Sequence, residues 1–539
     1  MRPIRWRLGA MVVAIGWIVA GFSSTAKACQ EPQQNEPEGA QVLTQGPLHE
    51  AFAEPVLFDP KPGPIVPKAP PAPITELPPE QKPEGANVNW IPGYWAWDDA
   101  RNDFIWVSGI WRAIPPGRQL VPGYWQQVDG GYQWVPGYWG TTDATKVEYL
   151  PEPPASVENG PSSPPPADDA TWAPGMWVWQ DNQYLWRPGF WVENQPGWMW
   201  NPASYSWSPS GYVYNQGYWD YPLANRGMPF APVYFSQPIY TQSNFAYTPG
   251  VSLLTSALFS SLFVRPSYHS YYFGDYYASN NFQSGIYPWY AFHGSRYGYD
   301  PLYSYAAAQN FRTNPRWADE LHQTYNYRRE HPDARPPHTF VETRRLSALP
   351  TGRPNAATSA ASNLVLARPL NQLAAPGAGA TAGANSQRFE RIDAARRQEF
   401  AKQGAQLHQF RDDRLRREQE ANRVTPAAGR SVPRQIETPR SPIVSASRGE
   451  GQRAAPPAAP QHPQVDRAMR PAAAGAAPIR HEPHPNIHPP APYVAPQQHA
   501  APPQQQQQRQ QQPQAAPGQQ QGRPGQGQQQ EQGQKRGKK

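Results

Sequence analysis

Between positions 90 and 219 lie 17 of the chain's 21 tryptophans, set in runs of Trp-x-Pro-Gly-aromatic-Trp. Indole rings left exposed stack on sugar rings and other flat ligands, so the chemistry these runs offer is glycan recognition. The opposing use of the same rings is structural. An aromatic side chain buries about 150–250 Å², enough to build a core where aliphatic residues are few. Packing is the favoured reading for most of the rings, while copies at a fixed period would place surplus rings in a row on one surface.

Other chemistry-bearing residues are sparse. Asp98, Asp99, Asp129 and Asp181 fall in turn-like segments, where aspartate bonds nearby backbone, so calcium binding is the weaker reading there. His481-Glu-Pro-His484-Pro-Asn-Ile-His488 has metal-ligand residue types, but it is Pro-rich and has no scaffold to fix ligand geometry. No Gly-x-Ser-x-Gly, His-Glu-x-x-His, P-loop or dinucleotide fingerprint occurs. The expectation is a non-enzyme with no catalytic residue, no metal and no cofactor. The single cysteine, Cys29, allows neither an internal disulfide nor a cysteine metal site.

The elements that position the tryptophans follow from spacing. Trp90-Ile-Pro-Gly93-Tyr-Trp95, Trp106-Val-Ser-Gly109-Ile-Trp111, Leu120-Val-Pro-Gly123-Tyr-Trp125 and Trp134-Val-Pro-Gly137-Tyr-Trp139 form one block. Trp172-Ala-Pro-Gly175-Met-Trp177, Trp186-Arg-Pro-Gly189-Phe-Trp191, Trp200-Asn-Pro-Ala203-Ser-Tyr205 and Tyr214-Asn-Gln-Gly217-Tyr-Trp219 form a second. Successive positions of the glycine are 16, 14 and 14 residues apart in the first block and 14 throughout the second. Two blocks of four units read as a duplicated array. Asp129-Gly130 between aromatic runs is a hairpin signal, and Asp181-Asn182 and Gln195-Pro196-Gly197 are assigned to the same slot. Pro-Gly suits a type II turn, so each Pro-Gly is expected to reverse the chain between units.

The expected fold is mainly β. It comprises two arrays of short antiparallel hairpins or meanders, a Tyr-rich appendage with a short helix, one long charged helix and a large disordered Pro/Ala/Gln-rich tail. The segments are a signal peptide (1–28), a Pro-rich spacer (29–86), array one (87–149), a Pro-rich linker (150–168), array two (169–222), a Tyr-rich partly ordered region (223–350), a linker (351–385), the charged helix (386–424) and a basic tail (425–539). Within the Tyr-rich region, the apolar run 253–264 reads as a buried or interfacial helix. Asn314-Pro315 opens a further helix on which Trp317, Leu321 and Tyr325 share a face. The charged helix is capped by Ser386 and carries a thin stripe of Phe389, Ile392, Phe400, Leu407 and Phe410. A solvated single helix is favoured over a coiled coil there.

Arg2, Arg5 and Arg7, an apolar run from Leu8 to Phe22, and Ala26 and Ala28 before Cys29 are the parts of a cleavable secretory signal. The run is shorter than the roughly 20 residues of a membrane span. Lipid anchoring at Cys29 is the less favoured alternative, because Ala26 and Lys27 stand where a lipoprotein signal needs leucine and a small residue. The net charge of +7 is polarised. Residues 425–539 carry +9 and residues 29–384 carry −9. In an exported protein such a tail meets anionic surfaces rather than specific nucleic acid.

The repeats resemble those of the YXWGXW (WxxGxW) repeat family of bacterial exported proteins, most nearly its longer, planctomycete-type, BcpO-related form. The resemblance spans roughly residues 87–219. It implies export and repeat structure and assigns no reaction. Together these features point to a non-enzymatic structural or interaction protein of the periplasm, envelope or extracellular space. Its expected partners are an envelope polymer or other envelope proteins. The alternative is a polysaccharide-binding module.

Overall fold

A computed structural model describes residues 39–347, 364–375, 387–424, 426, 431–445 and 456–462. The chain divides into two units, Met1–Pro489 and Pro490–Lys539, and every described residue lies in the first. The signal residues, Cys29, Ser386 and the His481–His488 tract lie outside the described residues.

The described chain is mainly strand, in many small antiparallel sheets. Its repeats form four long hairpins. The first pairs Val88–Ile91 with Ile110–Ala113 and, further along, Tyr94–Asp98 with Asp103–Val107. The second pairs Arg118–Val121 with Tyr138–Thr141 and Tyr124–Val128 with Gly131–Val135. The third pairs Thr171–Ala173 with Phe190–Val192 and Met176–Gln180 with Gln183–Arg187. The fourth pairs Met199–Asn201 with Tyr218–Asp220 and Ser204–Ser208 with Gly211–Asn215.

Within each hairpin the register runs unbroken across the Pro-Gly. Ile91 faces Ile110, and three residues on Tyr94 faces Val107, so Pro92-Gly93 lies opposite Ser108-Gly109. The expected reversal at Pro-Gly is therefore corrected. Proline has no N–H for the ladder, so the ribbon loses its pairing for two residues and resumes in register. The repeat glycines are not among the residues with positive φ. Those mark the actual hairpin tips: Asn102, Gly130, Asp181 with Asn182, and Gly211. The 16-residue spacing in the first hairpin reflects its longer tip, Asp99 to Asn102. Gln195-Pro196-Gly197 is a turn joining the third hairpin to the fourth, with the Trp198 amide donating to the Gln195 carbonyl at 2.9 Å.

Three further assignments are corrected. Residues 39–86 are packed against the repeats rather than spacing them: Leu43, Leu48, Phe52 and Ile74 are buried. The Tyr-rich region is core rather than appendage, because its tyrosines and phenylalanines pack on one another where aliphatics are scarce. Leu262–Arg265 and Ser270–Phe273 pair as fully buried strands, and Tyr271, Phe263 and Trp289 are among the largest enclosed side chains. The run 253–264 is largely buried, with Ser256 exposed, but only Thr255–Leu258 is α-helix and its end is a strand. Trp317, Leu321 and Tyr325 do share a buried or half-buried face on the helix Trp317–Glu330.

The charged helix spans Ala394–Val424. Phe389–Arg391 forms a strand against Gln81–Pro83, and Asp393 caps the helix by accepting from the Arg396 amide at 2.8 Å. The helix is neither solvated nor coiled. Phe400, Gly404, Leu407, Phe410, Arg414, Glu418 and Ala421 are buried, a stripe at three- and four-residue spacing laid along the hairpins. Phe400 meets Trp111 edge-on at 5.0 Å. Beyond it, within the stretch read as tail, Arg434–Glu437 pairs with Lys146–Tyr149, and Ile443 is fully enclosed.

Candidate functional site: carboxylate clasps in the repeat hairpins

Each hairpin contains two copies of W-x-x-G-x-W related by the pairing. The first tryptophan of one copy faces the second tryptophan of the other. Trp95 faces Trp106, Trp90 faces Trp111, Trp125 faces Trp134, Trp172 faces Trp191, Trp177 faces Trp186 and Trp200 faces Trp219. All six pairs are edge-to-face, with centroids 5.1–5.6 Å apart, the arrangement favoured by the ring quadrupoles. In the second hairpin Leu120 takes the first-tryptophan place, facing Trp139.

The glycines exist for close approach. A β-carbon on Gly93 would stand 2.7 Å from the Trp106 ring; one on Gly109, Gly175 or Gly217 would stand 2.5 Å from Trp90, Trp186 or Trp200 respectively. The same ring crosses Gly123 from Trp134 and Gly189 from Trp172. The motif thus places the first tryptophan of each copy over the glycine of the facing copy.

Glycine also opens a space that a carboxylate fills. Glu76 accepts from the Gly93 amide at 2.8 Å, the Gly109 amide at 3.1 Å and the Trp106 indole at 2.6 Å. Glu50 accepts from the Gly123 and Gly137 amides at 2.9 and 3.0 Å. Glu158 accepts from the Gly175 amide, the Trp172 indole and the Gly160 amide. The missing ladder bonds at Pro-Gly leave facing amides without a backbone acceptor; in the first two hairpins one carboxylate satisfies both, and in the third Glu158 takes the Gly175 amide of the pair. Burial pushes all three carboxyls up against these hydrogen bonds, Glu76 to about 7. His49, beside Glu50, is pushed down to about 4 by burial, against the carbonyl of Pro92.

The fourth hairpin departs from this pattern. Ala203 replaces glycine, and Tyr205 and Tyr214 replace the facing pair of tryptophans. In the second and third hairpins a β-carbon at the equivalent glycine would lie 2.8 Å from the clasping carboxylate and collide with the facing indole. The Ala203 methyl fills that place, which accounts for the smaller ring at Tyr214.

Among the predicted site residues, Trp90, Trp95, Trp106, Trp111, Trp134, Trp139, Trp172, Trp177, Trp186, Trp200 and Trp219 are buried, and Trp125 and Trp191 are half-buried. None forms an exposed row. Asp98 bonds the Ala100 and Arg101 amides, and Asp99 pairs with Arg265. Glu50, Glu76 and Glu158 escaped the sequence reading because they lie in the segments read as spacer and linker. A signal was present: Glu76 and Glu158 each stand 17 residues before the first glycine of their block. Also missed were two enclosed ion networks. Arg112 and Arg226 share Asp220 at 2.6 and 3.1 Å. Arg414 pairs with Glu418 at 2.7 Å while donating to the Pro122 and Pro136 carbonyls. Glu418 also accepts from Tyr124 and Tyr149, so the helix bolts directly onto the Pro-Gly interruption of the second hairpin.

Paired aromatic hairpins of this construction define a repeat-based structural or binding module. The segments are WXXGXW repeats: the model of that family matches residues 85–112, 121–139 and 171–192, leaving the divergent fourth hairpin outside. No curated protein and no solved structure matches the chain.

Proposed function

We propose that this protein is a non-enzymatic scaffold of the cell envelope or extracellular space, exported through its N-terminal signal. The observation that carries the reading is the use of the repeat tryptophans. The rings pack edge-to-face in facing pairs, and their edges lie against glycine, carboxylate or backbone carbonyls, so the repeats make an aromatic body instead of an open ligand row. The polarised charge supports a role in assembly, with the basic tail meeting anionic polymer or lipid. Among the described residues no helix is long and apolar enough to cross a membrane. Fractionation of cells with lipid labelling at Cys29 tests the compartment: recovery in the envelope or medium supports the reading, and recovery in the cytoplasm overturns it.

A second reading, polysaccharide binding, is favoured by one patch outside the repeats. Phe282 and Tyr297 are exposed, Tyr287 stacks on Tyr297 at 5.3 Å, and Arg296 lies over Tyr297. Flat rings beside a guanidinium suit a sugar ring. Pull-down of the full chain on insoluble polysaccharide, with Tyr297→Ala as comparison, separates the two. Retention that Tyr297→Ala abolishes favours binding through this patch.

A further inference from the structure

Four of the repeat's second tryptophans share a kind of partner, whereas Trp125 donates to the Trp95 carbonyl at 2.8 Å and the Trp111 indole N–H is buried without an acceptor. Trp95 donates its indole N–H to the carbonyl of Ala72 at 2.9 Å, Trp177 to Ala155 at 2.9 Å, Trp191 to Ser163 at 3.0 Å and Trp219 to Ala458 at 3.1 Å. Three of these acceptors end the same tripeptide: Pro70-Pro71-Ala72, Pro153-Pro154-Ala155 and Pro456-Pro457-Ala458. The fourth, Ser163, is followed by Pro164-Pro165-Pro166. Proline fixes φ and leaves such a run extended, with carbonyls that have no partner in their own segment. An aromatic ring carrying one N–H donor is the usual reader of that surface.

We propose that the WXXGXW hairpin binds Pro-Pro-Ala segments, and that the seat on Trp219 joins copies of this chain by taking a neighbour's tail in place of its own. This deepens the scaffold reading and rests on it. The seat at Trp219 differs from the others, which are filled by segments directly preceding their hairpins. Its occupant, residues 456–462, comes from the basic tail, where His462 also meets Phe190 edge-on at 4.9 Å. Beside it lies a shallow recess of about 10 Å³ lined by Trp198, Trp200, Trp219, Pro301 and Tyr305. The tail offers a second copy of the tripeptide, Pro489-Pro490-Ala491. A tail of charge +9 and a body of charge −9 attract between molecules as well as within one.

The test is sedimentation of the full chain over a hundredfold concentration range, alone and with a synthetic peptide of residues 453–462. Concentration-dependent assembly is expected, reversed by excess peptide and reduced at least tenfold in apparent affinity by Trp219→Phe, which keeps a ring but removes the N–H. Pro456→Gly/Pro457→Gly, which leaves the hairpin intact, controls for damage to the fold and is expected to weaken assembly likewise. A monomer at every concentration overturns the proposal, as does assembly that peptide and both variants leave unchanged. Either result leaves the scaffold reading to its own test by fractionation.

Discussion

At the scale of single residues, the repeat glycine is a steric requirement and not a conformational one. A β-carbon at Gly123 would fall 2.7 Å from the Val135 carbonyl and 2.8 Å from Glu50, and into the Trp134 ring. Gly123→Ala is expected to cost about 1–3 kcal/mol through overpacking, read as a lower urea midpoint at unchanged slope. The fourth hairpin shows the compensation: with Ala203 comes Tyr214. Trp186→Tyr added to Gly175→Ala should therefore restore part of the stability that Gly175→Ala removes, a favourable coupling in a double-mutant cycle. The clasping glutamates set a second expectation. Burial raises the Glu76 carboxyl to about 7 in the fold, above its value of about 4.3 in the unfolded chain. The folded state then holds the extra proton between these values, so the contribution of Glu76 is full below the lower value and is lost as pH rises through about 7. Glu76→Gln should flatten that part of the stability–pH curve relative to the parent chain. His49 acts oppositely, its contribution present above pH 6.5 and lost as pH falls toward about 4.

At the scale of elements, the long helix is held by an ion pair that its sequence presents as one charge pair among many. Arg414 and Glu418 are enclosed, whereas Arg416 and Asp413, three residues apart on the same helix, sit largely in water and contribute little. Removing one member of an enclosed pair strands the other. Arg414→Ala is therefore expected to cost about 3–5 kcal/mol, and it also frees the Pro122 and Pro136 carbonyls. Arg414→Met with Glu418→Leu, which strands no charge, should cost less than either single change. Thermal unfolding of the three variants measures this; equal losses would place the stability in packing around Phe400 and Leu407 instead. The hairpins teach the same lesson. Their strands and tips were legible from alternating aromatics and Asp-Gly or Asp-Asn. The role of Pro-Gly was not, because a dipeptide able to turn can also interrupt a ladder, and only the facing strand decides.

At the scale of the whole molecule, the segments outside the repeats complete them. Residues 39–86 bring Glu50 and Glu76, residues 150–168 bring Glu158, and the stretch beyond the helix adds the strand Arg434–Glu437 and the enclosed Ile443. A chain ending after Val424 should lose that strand from the edge of Lys146–Leu150 and uncover Val121 and Leu120, whose amide bonds the Ile443 carbonyl at 2.9 Å. The expected outcome is a lowered melting temperature and faster amide exchange at residues 118–121 and 146–149, with residues 177–185 at the tip of the third hairpin unaffected. Uniform exchange in both chains would mean that the strand is marginal to the fold.

The sequence by itself determined the repeat, its period and its strand character, because Trp-x-x-Gly-x-Trp and its turn residues act over a few positions along one chain. It also determined that most indoles would be consumed in packing, since so few aliphatic residues accompany them. Tertiary structure alone decided which copies face one another and where the amides left by Pro-Gly find acceptors. It also decided that Pro-rich stretches belong to the body. Those outcomes depend on groups brought together from distant positions, as Glu50 is to Gly137 and Glu418 to Tyr124. A proline-rich, charged segment looks the same in sequence whether it meets water or a row of tryptophans.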